Sequence, residues 1–535
     1  MPYASELQQM FKETVISMAH IVLINPRFEA SYWGLEHALP LFDAKANLPV
    51  ACLPLLAALT PPEHTITLID ENVEAIDYDL CARADIVGIT GMIVQRFRMK
   101  EILCELKQRN CFVVIGGPWI TVQESYFEDL VDVAFIGEAE ETWPRFLTEW
   151  VEQRHARRYE QVEKTDMSTV PVPRFDLLKM DDYAVGSIQF SRGCPFTCEF
   201  CDIIVVFGRK PRIKTGRQIL AEVEALLATG MDTAFIVDDN LIGNKKAIKE
   251  VLREVTAWQV EHDYPMTFVT EASIDLADDP ELMELMVDTN IRVVFIGIET
   301  PNEAALRETK KLQNVRKGAT MLERVHTIQR AGLEVWCGMI LGFDSDDASI
   351  FDAQRAFIKE ARIVNAMVGM LAAIPKTPLY TRLIKEGRLD PADQQPYGTN
   401  VIPLNISREA LRDGYLAVMD DLHKPQAYFD RLDALYLDER IEPERTRLRH
   451  LRRHPLQFAK LNALWMFEAL GIFLRLMRQV PDRDLRRIYR QRLWTMLKRR
   501  RSPVVMQIYA IKCAMHYHAH TMISQMQSGK IVNSF

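Results

Sequence analysis

No apolar run in this 535-residue chain is both long and charge-free enough to span a bilayer. The best stretch, Leu461–Met477, contains Glu468 and Arg475 and reads as an amphipathic or core helix. The first residues show no basic lead, apolar segment and small-residue cleavage site, so no secretory leader is expected. Cysteine is scarce. There are nine, and three fall within eight residues, which excludes a disulfide framework and favours the reducing cytoplasm. No short-period repeat or low-complexity tract interrupts the chain. Nor does Gly-x-Gly-x-x-Gly follow the first expected strand, which argues against a dinucleotide there.

What remains is the profile of a soluble globular protein, 48% hydrophobic and 26% charged, with room for two or three domains. Its net charge of −8 is uneven: Arg440 to Arg501 hold 18 Lys and Arg against 5 Asp and Glu, so the rest is acidic. Residues 1–150 alternate β-branched runs (His20–Pro26, Thr65–Asn72, Asp85–Met92, Phe112–Trp119, Val133–Glu140) with helical segments, among them Leu48–Leu59, Gln95–Arg109 and Thr121–Val131. That alternation predicts an open parallel α/β sheet, with ligands at the carboxyl ends of its strands. Residues 151–185, charged and broken by Pro171 and Pro173, read as a linker. Six further βα units fill 186–390, with strands at Gly186–Ser191, Ala234–Asp238, Thr267–Glu271, Val293–Ile298, Val335–Ile340 and Met367–Ala373. They predict a partial or complete (β/α) barrel with its site at the C-terminal strand ends. Residues 391–535 read as a mostly α-helical domain.

The strongest signal is Arg192-Gly193-Cys194-Pro195-Phe196-Thr197-Cys198-Glu199-Phe200-Cys201, directly after the first barrel strand. Three thiolates on one loop can hold three irons of a cubane cluster, whereas a purely electron-transferring cluster takes four protein ligands. One iron is then left open. Zinc would want a fourth Cys or His at finger-like spacing, and none is nearby. With its CxxxCxxC and the aromatic Phe200 before the third cysteine, the chain resembles the radical S-adenosylmethionine (SAM) superfamily. The resemblance implies a [4Fe-4S] cluster on Cys194, Cys198 and Cys201, with SAM chelating the open iron. It carries further contacts to Asp238 and Asp239 at the second strand end and Glu299 at the fourth. Gly338 and Gly342 match the family's GxIxG strand beside the adenine. Taken singly these are weak, since strand-end acids are often helix caps and glycines mere turns. Asp238 also departs from the family's usual Gly-Gly-Glu.

A flavodoxin-like domain ahead of such a barrel looks like the cobalamin-binding class. Its matching pieces are Thr90, Met92 and Gln95 around one turn, Gly116 and Gly117 in a second, and Gly137 and Glu138 in a third. The Asp-x-His-x-x-Gly that often ligates cobalt from below is replaced by Asn25-Pro26-Arg27-Phe28-Glu29-Ala30, and His37 does not fit the spacing. A lower imidazole is therefore not expected, which would favour methyl transfer as a radical.

Over most of its length the chain is similar to the hopanoid methylases and relatives acting on lipids. The likeness rests on Ser187-Ile188-Gln189-Phe190, Cys201-Asp202-Ile203, the Gly208–Thr215 segment, Val237-Asp238-Asp239-Asn240 and Pro375-Lys376-Thr377-Pro378-Leu379. The implied function is methylation of an unactivated carbon, probed against two rivals: a radical SAM enzyme forming or rearranging C–C bonds with cobalamin in an accessory role, and a sensor that has lost catalysis. One SAM would methylate reduced cobalamin and a second would be cleaved to the radical that removes substrate hydrogen. Expected partners are a small-molecule or lipid substrate and an external one-electron donor such as flavodoxin or ferredoxin. No nucleic acid is expected; only the basic tail hints at one. That tail also sets Leu461, Leu464, Trp465, Leu470, Phe473 and Leu474 between Arg449, Arg452, Arg453 and Arg475, Arg478. Helices packed on the barrel with a solvated basic face are the favoured reading, and a peripheral contact at the inner membrane face is the other. His516, His518 and His520 are expected to be solvated, without a metal.

Overall fold

A computed structural model describes residues 18–316 and 318–532, which form two compact units. The expected absence of a leader therefore falls outside the described residues. Of the described residues, one unit holds those up to Arg27 with Cys52–Thr165 and Pro171–Leu178; the other holds Phe28–Ala51, Asp166–Val170 and those from Lys179 onward.

The first unit is a six-stranded parallel sheet of β1 (His20–Asn25), β2 (Thr65–Asp70), β3 (Ile86–Thr90), β4 (Val113–Gly116), β5 (Val133–Ile136) and β6 (Arg158–Glu160). Its order, β2-β1-β3-β4-β5-β6, reverses direction between β1 and β3, the flavodoxin-like switch. Interior strands such as Ile86–Thr90 are buried throughout, because helices seal both faces of a parallel sheet. β6 lies inside the stretch expected to be a linker. Tyr159 points into the core while Arg158 and Glu160 stay exposed, so the charges that suggested a linker belong to a guarded edge strand. The helix expected over Thr121–Val131 is Pro118–Val122 followed by a tighter 3₁₀ stretch, Glu124–Leu130.

In the second unit β7 (Gly186–Ile188), β8 (Ser191–Arg192), β9 (Arg212–Ile213), β10 (Thr233–Ile236), β11 (Thr267–Ala272), β12 (Ile291–Glu299), β13 (Glu334–Leu341) and β14 (Ala366–Met370) follow one another. Six form a parallel sheet in the order β14-β13-β12-β11-β10-β7. Each strand lies beside its predecessor, as right-handed βα crossovers dictate. Its end strands β7 and β14 do not pair, so the barrel is partial. Two of the intervening helices start on reciprocal capping boxes, Thr215 with Gln218 and Thr320 with Glu323.

Past Arg408 the chain is helical: Arg408–His423, Pro425–Asp433, Pro455–Gln479, Arg483–Arg499 and Pro503–Gln527, three of them opening on proline at the first helical position. Their core joins Tyr428, Phe429, Trp465, Tyr489, Tyr509 and Cys513. The last helix contradicts the expectation of solvated histidines. His516 and His518 are fully buried, His516 bonded to the Tyr489 hydroxyl (2.8 Å) and the His423 carbonyl (3.0 Å). This helix is apolar on nearly every side, so His516 and His518 meet protein, whereas His520 is exposed as expected. Phe28–Ala51, counted by sequence with the first sheet, belongs to the second unit: the Trp33 ring lies 5.0 Å from Phe295, and Ser187 donates to the Pro49 carbonyl.

Candidate functional site

The cysteine loop leaves β8 and returns as β9, and the antiparallel pairs Ser191↔Ile213 and Arg192↔Arg212 close its neck. Gly193 turns the chain at φ +92°, where a Cβ would lie 2.9 Å from the Lys210 carbonyl oxygen and 3.0 Å from that of Gly208. Only glycine fits that approach. Both acids at the end of β10 hold this loop. The Asp238 carboxylate accepts from the Phe190 N–H (2.8 Å) and the Ser191 hydroxyl (2.6 Å), one on each oxygen, and Asp239 accepts from the Gly193 N–H (2.7 Å). Asp238, expected to contact SAM, thus has a donor from the loop's own neck on each oxygen. Burial pushes the Asp238 carboxyl up to about 7 and that of Asp239 to about 6.

The far side of the loop is tied to a segment that sequence reasoning passed over. The Glu199 N–H donates to the Thr309 carbonyl (2.8 Å), and the Glu199 carboxylate pairs with Arg382 (2.9 Å). Two residues beyond Thr309, the Lys311 ammonium meets Glu299 at 2.6 Å and stands 5.9 Å from the Phe200 ring centre. Burial opposes the charge on Lys311, but Glu299 and the cysteine sulfurs outweigh it and hold it protonated. The amide of Gln313 reaches Cys198 Sγ at 3.6 Å, and that of Asn240 stands 4.0 Å from Cys194 Sγ. Glu299 itself is a non-glycine residue at φ +65°, a backbone state that persists where surroundings over-determine it. Gly297 makes room, since a Cβ there would overlap the Glu299–Lys311 pair.

Gly338 sits beside Gly297 in register, and Gly342 closes β13 at φ +98° with its N–H on Asp346 (3.0 Å). Glu271, at the end of β11, also escaped the sequence reading. Burial raises its carboxyl to about 8, with Asp239 and Asp238 adding to the effect. A polar residue ending an apolar strand was the available signal; for Lys311 and Gln313, in a charged loop, there was none.

These residues fit a cluster on an observation of donor chemistry. Three thiols on one loop face two amide donors and a buried ammonium, which suits anionic sulfur in a low-dielectric pocket. Among the described residues the three sulfurs do not gather within 4.8 Å of one another, as one mononuclear ion would require. Burial raises the Cys194 and Cys201 thiols, so their deprotonation must come with metal binding.

In the first unit, the other expected residues collect at the carboxyl ends of β3, β4 and β5. Thr90 ends β3, and Met92 is exposed at the following turn. Gln95 is buried, its amide donating to Asn25 (3.1 Å) and Pro26 and accepting from the Met92 N–H (2.9 Å). It shapes the turn rather than reaching outward. Gly116 ends β4. Gly117, at φ +100°, could not carry a Cβ, which would fall 2.6 Å from Thr90 Oγ1. Gly137 donates to Thr121 (3.0 Å), and the buried Glu138 carboxylate accepts from the Thr165 N–H (3.0 Å). Glycine turns at a strand-order switch leave backbone open to a bulky ligand such as a corrin. The unit's described histidines, His20, His64 and His155, precede or begin β1, β2 and β6, at the amino end of the sheet. None of them can supply an imidazole at the glycine edge.

A family profile described as the radical SAM superfamily matches residues 188–354, and one described as a domain of unknown function (DUF4070) matches 377–531. An uncharacterized methyltransferase of Synechocystis sp. is 38% identical, over 93% of this chain and 90% of its own length. The hopanoid C-2 methylase of Rhodopseudomonas palustris is 33% identical, over 77% of this chain and 78% of its own. Among solved structures, the cobalamin-dependent S-adenosylmethionine radical enzyme OxsB, with aqua-cobalamin and S-adenosylmethionine bound, superposes with TM-score 0.60 at 13% identity, over 96% of this chain and 82% of that one.

Proposed function

Because this chain belongs to the radical SAM superfamily, in its methyltransferase branch, we propose that it methylates an unactivated carbon of a lipid or isoprenoid, using a [4Fe-4S] cluster, SAM and cobalamin. The observation that carries the reading is the cysteine loop between β8 and β9, gripped by Asp238 and Asp239 on one side and backed by the buried Glu299–Lys311 pair on the other. When bound, the reduced cluster supplies the electron that cleaves SAM to a radical able to remove substrate hydrogen, and cobalamin supplies the methyl group.

In this reading Cys194, Cys198 and Cys201 hold the cluster, and the amides of Gln313 and Asn240 orient toward its sulfurs. Glu299 and Asp239 bind the polar parts of SAM, while Gly338 and Gly342 keep the β13 backbone accessible to its adenine. Lys311 orients Glu299. The first sheet binds cobalamin along Thr90, Met92, Gly116, Gly117, Gly137 and Glu138, with Gln95 shaping the turn and no lower imidazole from that unit. By sequence the cobalamin part spans 1–150, the barrel 186–390 and the appended helices 391–535. A flavodoxin or ferredoxin supplies the electron. The lipid assignment is supported by the hopanoid C-2 methylase among the relatives.

The test is anaerobic turnover of reconstituted protein with cobalamin, methyl-labelled SAM, a reductant and total lipid extract. Label in a lipid, with 5′-deoxyadenosine formed alongside, is the expected result. 5′-Deoxyadenosine without label transfer, in a sample shown to bind cobalamin, would turn the assignment to C–C bond formation without methylation, which product mass distinguishes, or to a substrate outside the lipid pool.

A further inference from the structure

Helix Pro455–Gln479 carries apolar side chains on both sides, but only one side of it is covered. Leu461, Trp465, Ala469, Ile472 and Leu476 enter the core of the helical region. On the other side Leu456, Leu464, Phe467, Leu470 and Leu474 are exposed, Phe467 at 72% and Leu456 at 88%. Leu456, Phe467 and Leu474 recur at 11 and 7 residues, so they share one face, with Leu464 and Leu470 flanking it. From Leu456 to Leu474 this stripe runs about 27 Å. A soluble surface seldom leaves so continuous an apolar strip to water.

The charge beside the strip says what covers it. Lys460 and Arg478 fall on the same face by helical spacing, toward its two ends, and neither forms an ion pair among the described residues. The next helix, Arg483–Arg499, exposes Arg490 and Lys498 with Trp494, which is 60% exposed, and Lys498 lies 5.2 Å from the Trp494 ring centre. Aromatic and leucine side chains with basic neighbours make the pattern of a helix lying in the plane of an anionic interface. No helix among the described residues is long and apolar enough to cross a membrane. A second copy of the chain would set Lys460 and Arg478 against their own equivalents in a twofold contact. A nucleic acid would match the charge and leave the leucines unsatisfied.

We infer that the exposed face of helix Pro455–Gln479 docks this enzyme on an anionic phospholipid surface. The inference gives the helical region a role and deepens the lipid reading, on which it rests only for what the enzyme collects at that surface.

The test is co-sedimentation of the full holoprotein with vesicles of phosphatidylcholine alone and of phosphatidylcholine mixed with phosphatidylglycerol. Binding to the anionic vesicles is expected, weakening as salt rises. K460Q/R478Q should partition about 30-fold less, at the usual contribution of a basic residue near such a surface. F467E/L474E should abolish binding while keeping the wild-type thermal midpoint, since both side chains are exposed in the fold. Absence of vesicle binding, binding that ignores lipid charge, or undiminished binding by F467E/L474E would overturn the inference. So would a wild-type dimer in analytical ultracentrifugation that F467E/L474E converts to monomer. Formation of 5′-deoxyadenosine by the same samples reports separately on the proposed chemistry.

Discussion

Gly193 is pinned by two carbonyl oxygens and an acid, and the nearest cysteine follows it directly. G193A adds a Cβ where backbone stands 2.9 Å away, at a φ that costs a non-glycine residue roughly 1–3 kcal/mol. The expected outcome is a folded chain that takes up much less iron and sulfide on anaerobic reconstitution, read by iron and sulfide content per chain. K311M should leave the cluster in place but deprive Glu299 of its partner, lowering SAM cleavage about 10- to 100-fold, in the range of losses seen when a supporting partner at a metal site is removed. K311R, assayed for 5′-deoxyadenosine alongside, should recover part of it. The cysteines were legible because their spacing carries the chemistry. Lys311 and Gln313 were not, because over a hundred residues separate them from the thiols they approach and a charged loop looks solvated. Asp238 was legible as a strand-end acid, but its use was not: only coordinates reveal that both oxygens face the loop's own donors.

At the scale of elements, helix Pro503–Gln527 shows how much a periodic pattern can hide. A His-x-His-x-His run has no helical face of its own, so sequence offered solvation as the default, yet His516 and His518 join His423 in the interior. Burial lowers His423 to about 4 and the other two to about 3. Unfolded, each ring takes a proton near pH 6.5, so the stability they lend is whole above that pH and is lost as the pH falls below it. The loss is about 2 kcal/mol per ring near pH 5. H518Q should therefore show a smaller fall in thermal midpoint between pH 7 and pH 5 than the wild type. The same helix carries Lys512 to a buried Glu334 on β13, where Tyr436 and Trp336 also donate. Burial works against the charge of Glu334, and these partners outweigh it. K512M leaves that carboxylate uncompensated and should destabilise the second unit by about 3–5 kcal/mol, seen as a lowered unfolding midpoint.

Across the whole molecule, two parallel sheets were legible from apolar runs alternating with helical spacing, and strand limits agreed to within a few residues. The guarded edge strand β6 and the passage of Phe28–Ala51 into the second unit were not, because both depend on contacts distant in sequence. The cysteines and the glycine turns lie in different units. C194A/C198A/C201A should accordingly lose iron and keep cobalamin, checked by the visible spectrum after desalting. The second unit is also threaded by its earliest and latest residues: the His37 N–H reaches His518 across 481 positions, and Tyr32 meets His423 across 391. On a ribosome adding about 5–20 residues per second, the cysteine loop emerges roughly 15–65 s before the helix that completes this core. Throughout that interval Tyr32 and His37 lack their partners from the late helices, although Pro49 and Lys45 already meet Ser187 and Asp182. Completion of this core is thereby deferred to the finished polypeptide, and a nascent chain stalled short of residue 500 would leave the apolar sides of the helices already made open to water.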